Sequence, residues 1–505
     1  MIRCEKDWEL SLTFHHPVQK VQEKMKKRTI LVIVAIFWME SLLGTGWGVS
    51  RGMAASQSVA GKWLGIIKTP GMDLRIAFEI SEAKEGGYAA VVHSIDQGAM
   101  NIPISTVTLN GDSLRLELKS AFAYEGKLQP DGNTIEGNWI QGDSTRLVMK
   151  RVAQIPELNR PQTPRKPYPY TEEEVVYKNP AADVSIAGTL TIPKGKGPFP
   201  AVLLIAGSGP SDRDEAALGH KPFLVLADHL TRQGLAVLRA DKRGIGKTTG
   251  TFGSSGIEEF ASDALAGVKY LKSRTEVDAR RIGLIGHSEG GGVAPLVAVQ
   301  AREVSYLVLL AAPGMSAYDI LVLQDGTEAK VGGSTDEEVA LIRGFSRRFY
   351  TLVLRAKDNA EIEREANALY ATLTDAEKRA LGWPNLHGTL SLAWALAPGS
   401  RENLKFDIRP VLRQVRCPVL ALNGGKDCQV PPRENLAGIE RELKAGGNKD
   451  YTVRELPGLN HLLQTCSTGA TSEYLKIEET MSPLALQTVS DWILAKTRIE
   501  SDGQK

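Results

Sequence analysis

The chain has 505 residues, which is enough for two or three domains with a large buried core. Its composition is that of a globular protein, with 42% hydrophobic and 24% charged residues. The 61 Lys and Arg residues nearly balance the 59 Asp and Glu residues, so no net field favours nucleic acid or a strongly acidic partner.

The N-terminus has the pattern of a secretory signal peptide. An apolar run at 30–39 follows a short basic stretch, and small residues at 54–56 offer a cleavage site. The alternative is an uncleaved anchor, but Glu40 would then cost about 2.5–3.5 kcal/mol near the middle of a short span. We expect a leader at 1–56, translation from Met25, and a periplasmic or extracellular protein without a stable membrane span.

Residues 57–152 are predicted to form a small all-β domain. Apolar and polar residues alternate along 74–80, which is typical of a strand with one buried face. Turn signals such as Asn110-Gly111-Asp112 recur, so we expect an antiparallel barrel or sandwich. His93 is isolated and is interpreted as structural, and the role of this domain stays open. The prolines of 153–169 predict an extended linker.

Residues 170–498 are predicted to form an α/β domain, followed by a short tail at 499–505. The strongest buried-strand run of the chain is 199–206, and Gly207-Ser208-Gly209-Pro210 follows it directly. The charged residues at 212–215 either form a solvated loop or border a pocket, and the sequence favours neither.

Asp241 and Arg243 follow the next predicted strand. We interpret both as braces of the scaffold rather than as groups that touch a substrate.

The segment Gly286-His287-Ser288-Glu289-Gly290 lies between a short apolar strand at 281–285 and the start of a helix. A Gly-x-Ser-x-Gly turn in this setting holds the serine on a sharp bend with its hydroxyl exposed. A tight structural turn is the alternative, because the five-residue pattern is common. The strand–turn–helix context favours Ser288 as a nucleophile, which then needs a base and an acid.

A long insert at about 315–405 is predicted to form a helical cap over the catalytic face. Thr335 to Glu338 and Thr374 to Glu377 both have the pattern of a capping box at a helix start. Such a cap would limit substrate size and exclude water. Four aromatic residues of the insert either line the pocket or pack the cap onto the core: Phe345, Phe349, Tyr350 and Trp394.

The candidate acid and base come late in the chain. Beyond Ser288 the only histidines are His387, inside the insert, and His461, after a predicted strand at 451–456. Asp427 lies in the turn after another predicted strand, 34 residues before His461. Each alone could be an ordinary loop residue. The order Ser288, Asp427, His461, each after a strand, favours a catalytic triad.

An oxyanion hole is the fourth requirement of this chemistry. One donor would be the backbone N–H of Glu289, which directly follows the nucleophile. The second is predicted to be the N–H of Ser208, with that of Gly209 as the alternative.

The four cysteines do not have metal-ligand spacing, and we predict no metal and no cofactor. Cys4 lies in the leader, and Cys417 opens an apolar strand. Cys428 follows Asp427, and Cys466 lies five residues after His461. We therefore hypothesise a Cys428–Cys466 disulfide between the acid and base loops.

These motifs resemble the α/β-hydrolase-fold serine esterases of the prolyl-oligopeptidase-like and dienelactone-hydrolase-like branch. The resemblance covers roughly two thirds of the chain, from about 170 to 496. The matching motifs are Gly207-Ser208-Gly209-Pro210, Asp241-Lys242-Arg243-Gly244, Gly286-His287-Ser288-Glu289-Gly290, Gly425-Lys426-Asp427 and Leu459-Asn460-His461. It implies hydrolysis of small-molecule acyl esters by a Ser–His–Asp triad without a cofactor, and it leaves the substrate open.

The sequence therefore predicts a secreted carboxylesterase. A serine peptidase or an acyl thioesterase would use the same residues. A non-catalytic binding protein on a hydrolase scaffold is the alternative from a different class, and three matched catalytic residues argue against it. Nothing in the sequence indicates an oligomeric state.

Overall fold

The computed structural model describes residues 58–68, 73–83, 85–119, 121–382 and 388–498. The predicted leader at 1–56, the tail at 499–505 and His387 lie outside these residues. The chain divides into two compact units. The first comprises the described residues up to Ser94 together with Asn101–Ile155, and the second comprises Ile95–Met100 and the residues from Pro156 onward. No helix in the described ranges is long and apolar enough to cross a membrane.

The first unit is built on antiparallel strands, except that Ala99 and Met100, at the start of one strand, belong to the second unit. The strands are β1 Gly61–Lys68, β2 Asp73–Glu82, β3 Tyr88–Ser94, β4 Ala99–Pro103, β5 Thr106–Asn110, β6 Ser113–Leu118, β7 Phe122–Leu128, β8 Thr134–Gln141 and β9 Asp143–Val152. Within the described part of the chain they form one sheet in the order β4-β3-β2-β1-β9-β8-β7-β6-β5.

The two edges of this sheet meet where β4 leads into β5. In the two-residue connection, the N–H of Ile104 donates to Ala90 O on β3, and that of Ser105 donates to Glu117 O on β6. The sheet therefore curls around one apolar core, in which Trp63 and Tyr124 are fully buried. The predicted small all-β domain is confirmed, in a barrel-like form.

His93 is buried in this unit, and its Nδ1 accepts a hydrogen bond of 3.2 Å from the backbone N–H of Asn101. Burial lowers the pKa of His93, which favours the neutral ring of a structural residue.

The second unit is built on a mostly parallel sheet. Its strands are β10 Thr171–Asn179, β11 Val184–Ile192, β12 Phe199–Ile205, β13 Ala236–Ala240, β14 Val277–His287, β15 Val304–Leu310, β16 Val419–Gly424 and β17 Tyr451–Leu456. Their spatial order is β10-β11-β13-β12-β14-β15-β16-β17, and only the pairs β10–β11 and β11–β13 of these described strands are antiparallel. This arrangement confirms the predicted α/β-hydrolase sheet.

Helices cover both faces of the sheet, which explains why its central strands are continuous apolar runs. The helices that pack on the sheet are α1 Pro222–Arg232, α2 Ile257–Ser273, α3 Gly290–Gln300, α10 Arg409–Leu412, α11 Pro432–Ala445 and α12 Pro483–Thr497. The six described α-helices between α3 and α10 belong to the insert. Residues of α1 and α12 share one core cluster with the sheet, and residues of α2, α3 and α11 share the other.

The insert between β15 and β16 is helical, as the sequence predicts. Its helices are α4 Ala317–Val331, α5 Asp336–Arg355, α6 Asn359–Ala371, α7 Asp375–Ala380, α8 Leu392–Leu396 and α9 Ser400–Lys405. Both predicted capping boxes are present, at Thr335 with Glu338 and at Thr374 with Glu377.

The aromatic residues of the insert mainly pack against one another. Phe345, Phe349 and Tyr350 are fully buried in a core that belongs to the insert itself. Trp394 lies at the edge of that core, with its ring centroid 5.8 Å from that of Tyr350. The described contacts therefore favour neither pocket lining nor packing of the cap onto the core, because these rings pack within the insert.

The proline-rich stretch at 153–169 forms neither helix nor strand. From Pro156 onward it is part of the second unit, where the Gln162 amide donates to Met481 O at 2.7 Å and accepts from Met481 N at 2.9 Å.

Candidate active site

The five-residue turn at Ser288 forms a sharp bend between β14 and α3. Ser288 has a φ of 52°, a left-handed conformation that is unusual for a residue with a side chain. The two glycines make this bend possible. A Cβ at Gly286 would lie 2.1 Å from Gly290 O, and one at Gly290 would lie 2.0 Å from Ile205 O. The geometry matches the strained elbow that exposes a nucleophilic hydroxyl.

Asp427 and His461 form a buried pair at the ends of β16 and β17. His461 Nδ1 lies 2.8 Å from Asp427 Oδ2, and both residues are buried. The other oxygen, Oδ1, accepts the backbone N–H groups of Gln429 and Val430 at 2.8 Å each. Because an ionised carboxylate only accepts, Nδ1 carries the proton and Nε2 is left as the basic nitrogen.

The acid and base loops are joined by backbone hydrogen bonds. The N–H of Gly425 donates to Leu456 O at 2.9 Å, and that of Lys426 donates to Leu459 O at 2.8 Å. Asn460 then forms reciprocal hydrogen bonds with Gln464, both residues being fully buried. His461 is thus held on a rigid loop next to Asp427.

The Ser288 turn lies beside the His461 loop. The rings of His287 and His461 have centroids 5.0 Å apart, and His287 Nε2 lies 3.1 Å from His461 O. No hydrogen bond joins Ser288 Oγ to His461 in the described ranges. Catalytic hydrogen bonds are often long in ligand-free enzymes and tighten when substrate binds. The structure therefore places the three predicted residues on adjacent loops and directly pairs two of them.

The predicted oxyanion donors flank Ser288. A Cβ on Gly207 would lie 3.1 Å from Ser288 Cβ, so the loop after β12 passes directly beside the nucleophile. In the part of the chain that the structure describes, the N–H groups of Ser208 and Glu289 have no protein acceptor. Both are thus available to a negatively charged oxygen, as the prediction requires.

Glu215 and His287 form a second, largely buried pair. For Glu215, the contact favours the second of the two interpretations of the loop at 212–215, in which its residues border the site, whereas the pairing with His287 was not predicted. Glu215 Oε1 accepts the N–H of Gly207 at 2.6 Å and lies 2.9 Å from His287 Nδ1. The two ring nitrogens of His287 thus face a carboxylate oxygen and a carbonyl oxygen. Both are acceptors, so the arrangement is satisfied best by a doubly protonated imidazolium.

The charge on His287 results from opposing influences. Burial lowers its pKa, but the Glu215 carboxylate, the His461 carbonyl and the charge of Asp427 together raise the pKa of His287 above the ordinary value of 6.5. Glu215 itself has a φ of 51°, so this loop is held in a strained conformation that presents the carboxylate to both partners.

Lys242 is another residue near the site with no assigned role. Its Nζ lies 2.5 Å from Gly207 O and 2.9 Å from Glu289 Oε2. The same group lies 4.5 Å from the ring centroid of Phe260. The sequence feature that could have indicated a role for Lys242 is its position just after β13. In the sheet, β13 lies beside β12, which leads into the loop of Gly207.

The neighbouring charged residues brace the scaffold. Asp241 forms a bidentate pair with Arg213, with Nε–Oδ1 and Nη2–Oδ2 distances of 3.0 and 2.8 Å. Arg243 pairs in the same way with Asp263 at 2.7 and 2.8 Å. The interpretation of Asp241 and Arg243 as braces is supported by these contacts.

The hypothesised Cys428–Cys466 disulfide is wrong in this structure, where Cys417, Cys428 and Cys466 are free thiols. Cys428 Sγ donates to Gly469 O at 3.2 Å, whereas Cys466 Sγ donates to Gly458 O at 3.4 Å. Burial raises the pKa of the Cys428 thiol to about 12, so the thiol is unreactive at neutral pH. Among the described residues no group of three or more His, Cys, Asp or Glu residues could hold a metal ion.

Comparison with known proteins places the chain among hydrolases. Residues 221–465 match the Hydrolase_4 family, described as serine aminopeptidase, S33. The chain is 32% identical to esterase EstD of Thermotoga maritima over 346 residues, which cover 66% of this chain and 73% of EstD.

Solved structures give weaker similarities. DcsB, in complex with its substrate analogue, aligns with a TM-score of 0.42 and 17% identity, over 65% of this chain and 100% of that chain. Est1E of Butyrivibrio proteoclasticus, with bound ferulic acid, aligns with a TM-score of 0.38 and 17% identity, over 64% and 98%. On the family match and the similarity to EstD, the chain belongs to the Hydrolase_4 family of α/β hydrolases and is, as the sequence predicts, a serine hydrolase with an esterase among its relatives.

Proposed function

We propose that the protein is a carboxylesterase that cleaves small-molecule esters through Ser288, His461 and Asp427. The observation that carries the proposal is the buried 2.8 Å pair of His461 and Asp427 beside the left-handed turn at Ser288. The similarity to EstD supports an ester as the scissile bond. The motifs further favour the prolyl-oligopeptidase-like and dienelactone-hydrolase-like branch of esterases.

In this mechanism His461 Nε2 removes the proton of Ser288, whose Oγ attacks the ester carbonyl carbon. The N–H groups of Ser208 and Glu289 bind the resulting oxyanion. The tetrahedral intermediate collapses to an acyl-enzyme as His461 protonates the leaving alcohol. His461 then activates a water that releases the acid, while Asp427 orients and stabilises the imidazolium.

We propose that the predicted signal peptide in residues 1–56 exports this activity from the cytoplasm. Fractionation of the producing cells, with intact mass of the mature chain, tests it. A mature chain that retains the apolar run at 30–39 would contradict processing at this leader, and a precursor beginning at Met1 would contradict the Met25 start.

A serine aminopeptidase is the second candidate, because the matching family model carries that description. The same nucleophile, base and oxyanion donors would attack a peptide bond. The two candidates differ in the leaving group, so a substrate panel separates them.

The deciding experiment compares p-nitrophenyl esters of increasing acyl length with aminoacyl p-nitroanilides, on the wild-type protein and on Ser288→Ala. We expect hydrolysis of the short esters and loss of all activity in Ser288→Ala. Cleavage of the anilides alone would favour the aminopeptidase. Unchanged ester hydrolysis by Ser288→Ala would overturn the mechanism altogether.

A further inference from the structure

Lys242 contacts both loops that carry the predicted oxyanion donors. Its Nζ donates to Gly207 O at 2.5 Å and to Glu289 Oε2 at 2.9 Å. Gly207 and Ser208 share one peptide unit, and Glu289 supplies the second donor N–H. A single ammonium group, on the loop after β13, therefore touches the residues that supply both halves of the oxyanion hole.

The contact with Gly207 determines the direction of the Ser208 N–H. A trans peptide is planar, so its C=O and N–H point in opposite directions. Because Lys242 holds the carbonyl of the Gly207–Ser208 peptide, the N–H of the same unit points away from Lys242. A charged donor on the carbonyl also polarises the peptide and strengthens its N–H as a donor.

The preceding peptide, between Ala206 and Gly207, is held by Glu215. Glu215 Oε1 accepts the N–H of Gly207 at 2.6 Å, so both polar groups of this glycine have charged partners. A Cβ on Gly207 would lie 3.1 Å from Glu215 Oε1 and from Ser288 Cβ, so this backbone has little room to move.

Lys242 also contacts the side chain of Glu289, the residue that supplies the other predicted donor. Glu289 is the residue that precedes α3, and its side chain is 21% exposed, whereas that of Lys242 is 9% exposed. The side chain of Lys242 is largely buried, and its Nζ lies 4.5 Å from the ring centroid of Phe260, so the head group has a restricted position. The ion pair thus joins the start of α3 to the loop after β13.

We propose that Lys242 is a positioning residue of the oxyanion hole, which aligns the N–H groups of Ser208 and Glu289 through its bonds to Gly207 O and to the Glu289 carboxylate. The proposal rests on the function proposed above. It assigns a role to the Glu289 side chain, for which the hydrolytic mechanism alone has no need.

The test compares Lys242→Met with Lys247→Met, which removes an exposed lysine from the same loop. We expect Lys242→Met to lower kcat by about 10- to 100-fold, less than the loss of a whole donor, with KM changed by less than about threefold. The affinity for a trifluoromethyl ketone, whose hemiketal oxyanion occupies the hole, should fall by a similar factor. Lys247→Met should match the wild type in all three measurements.

Glu289→Ala removes the carboxylate that pairs with Lys242 but keeps the backbone N–H of residue 289. It should lower kcat and ketone affinity by about 5- to 30-fold, and the Lys242→Met/Glu289→Ala double variant should lose less than the product of the two single losses. Should Lys242→Met fail to fold, Glu289→Ala decides: unchanged kcat and ketone affinity overturn the proposal.

If Lys242→Met folds and has the kcat and ketone affinity of the wild type, the proposal that Lys242 positions the oxyanion hole is overturned. The Ser288→Ala control separates this failure from failure of the proposed function. If Ser288→Ala is inactive while Lys242→Met is fully active, the esterase mechanism stands and the role of Lys242 falls.

Discussion

The two sides of the site are held in place by different kinds of bond. On the acid–base side, backbone N–H groups fix Asp427, and backbone hydrogen bonds join its loop to that of His461. On the nucleophile and oxyanion side, charged side chains do this work, through Glu215 with His287 and Lys242 with Glu289. Backbone bonds do not titrate, whereas ion pairs depend on protonation, so the stability of the second side should be the more sensitive to pH.

The largest expected effect comes from Asp427→Asn, which tests the acid–base side. The amide can donate to His461 Nδ1 and so favours the wrong tautomer, in which Nε2 carries the proton. We expect kcat to fall by about 10³- to 10⁴-fold. The measurement is kcat on the best ester of the panel, with the unfolding midpoint as a control for folding. A loss below tenfold would show that Asp427 does not orient the base.

Glu215→Gln tests the other side and should act on stability as well as on activity. It leaves His287 without a carboxylate partner while keeping an acceptor for Gly207 N–H. We expect the free energy of unfolding to fall by about 1–3 kcal/mol, together with a lower kcat. Urea unfolding measures the first effect. Glu440→Gln, at an exposed position of α11, is the matched control and should change neither.

The strand ends and the three predicted catalytic residues could be derived from the sequence, because apolar runs mark strands and the chain order Ser288, Asp427, His461 is constrained. The charged supports could not. Glu215, Lys242 and Glu289 are far apart in the chain, and their contacts depend on the spatial order β13-β12-β14, which no local pattern encodes.

The disulfide hypothesis failed for a related reason. Spacing correctly indicated that the loops of Cys428 and Cys466 lie near each other, but not where each Sγ points. Helical periodicity likewise predicted α5 but not that its aromatic face would pack within the insert.

The pH dependence of stability gives a finer test of the comparison. The pKa of His287 is raised in the folded state, so below about pH 6.5 the ring is protonated in both states and its contribution to stability is complete. As the pH rises from 6.5 through the folded-state pKa, the native state retains a proton that the unfolded state has lost. Stability therefore falls with rising pH in this window.

Urea unfolding between pH 6 and 9 measures this decline, and Glu215→Gln should flatten it. Stability that rises across the window in the wild type, or an equal slope in both proteins, would contradict the assignment of the decline to His287.

The smallest expected effect is that of a reducing agent. The acid and base loops are joined by the backbone bonds of Gly425 and Lys426, and the Cys428 and Cys466 thiols donate to separate carbonyls. Dithiothreitol should therefore leave the thermal midpoint of the mature protein, purified without reductant, within about 1 °C. Closing the loop between these cysteines, which are 38 positions apart, would stabilise the fold by about 3–4 kcal/mol, so a disulfide in solution would give a drop of several degrees on reduction. A drop of that size would mean that a disulfide, and not backbone hydrogen bonds alone, holds the acid–base side together. The acid–base side would then depend on the oxidation state of its cysteines, whereas the nucleophile and oxyanion side depends on the charges of its ion pairs.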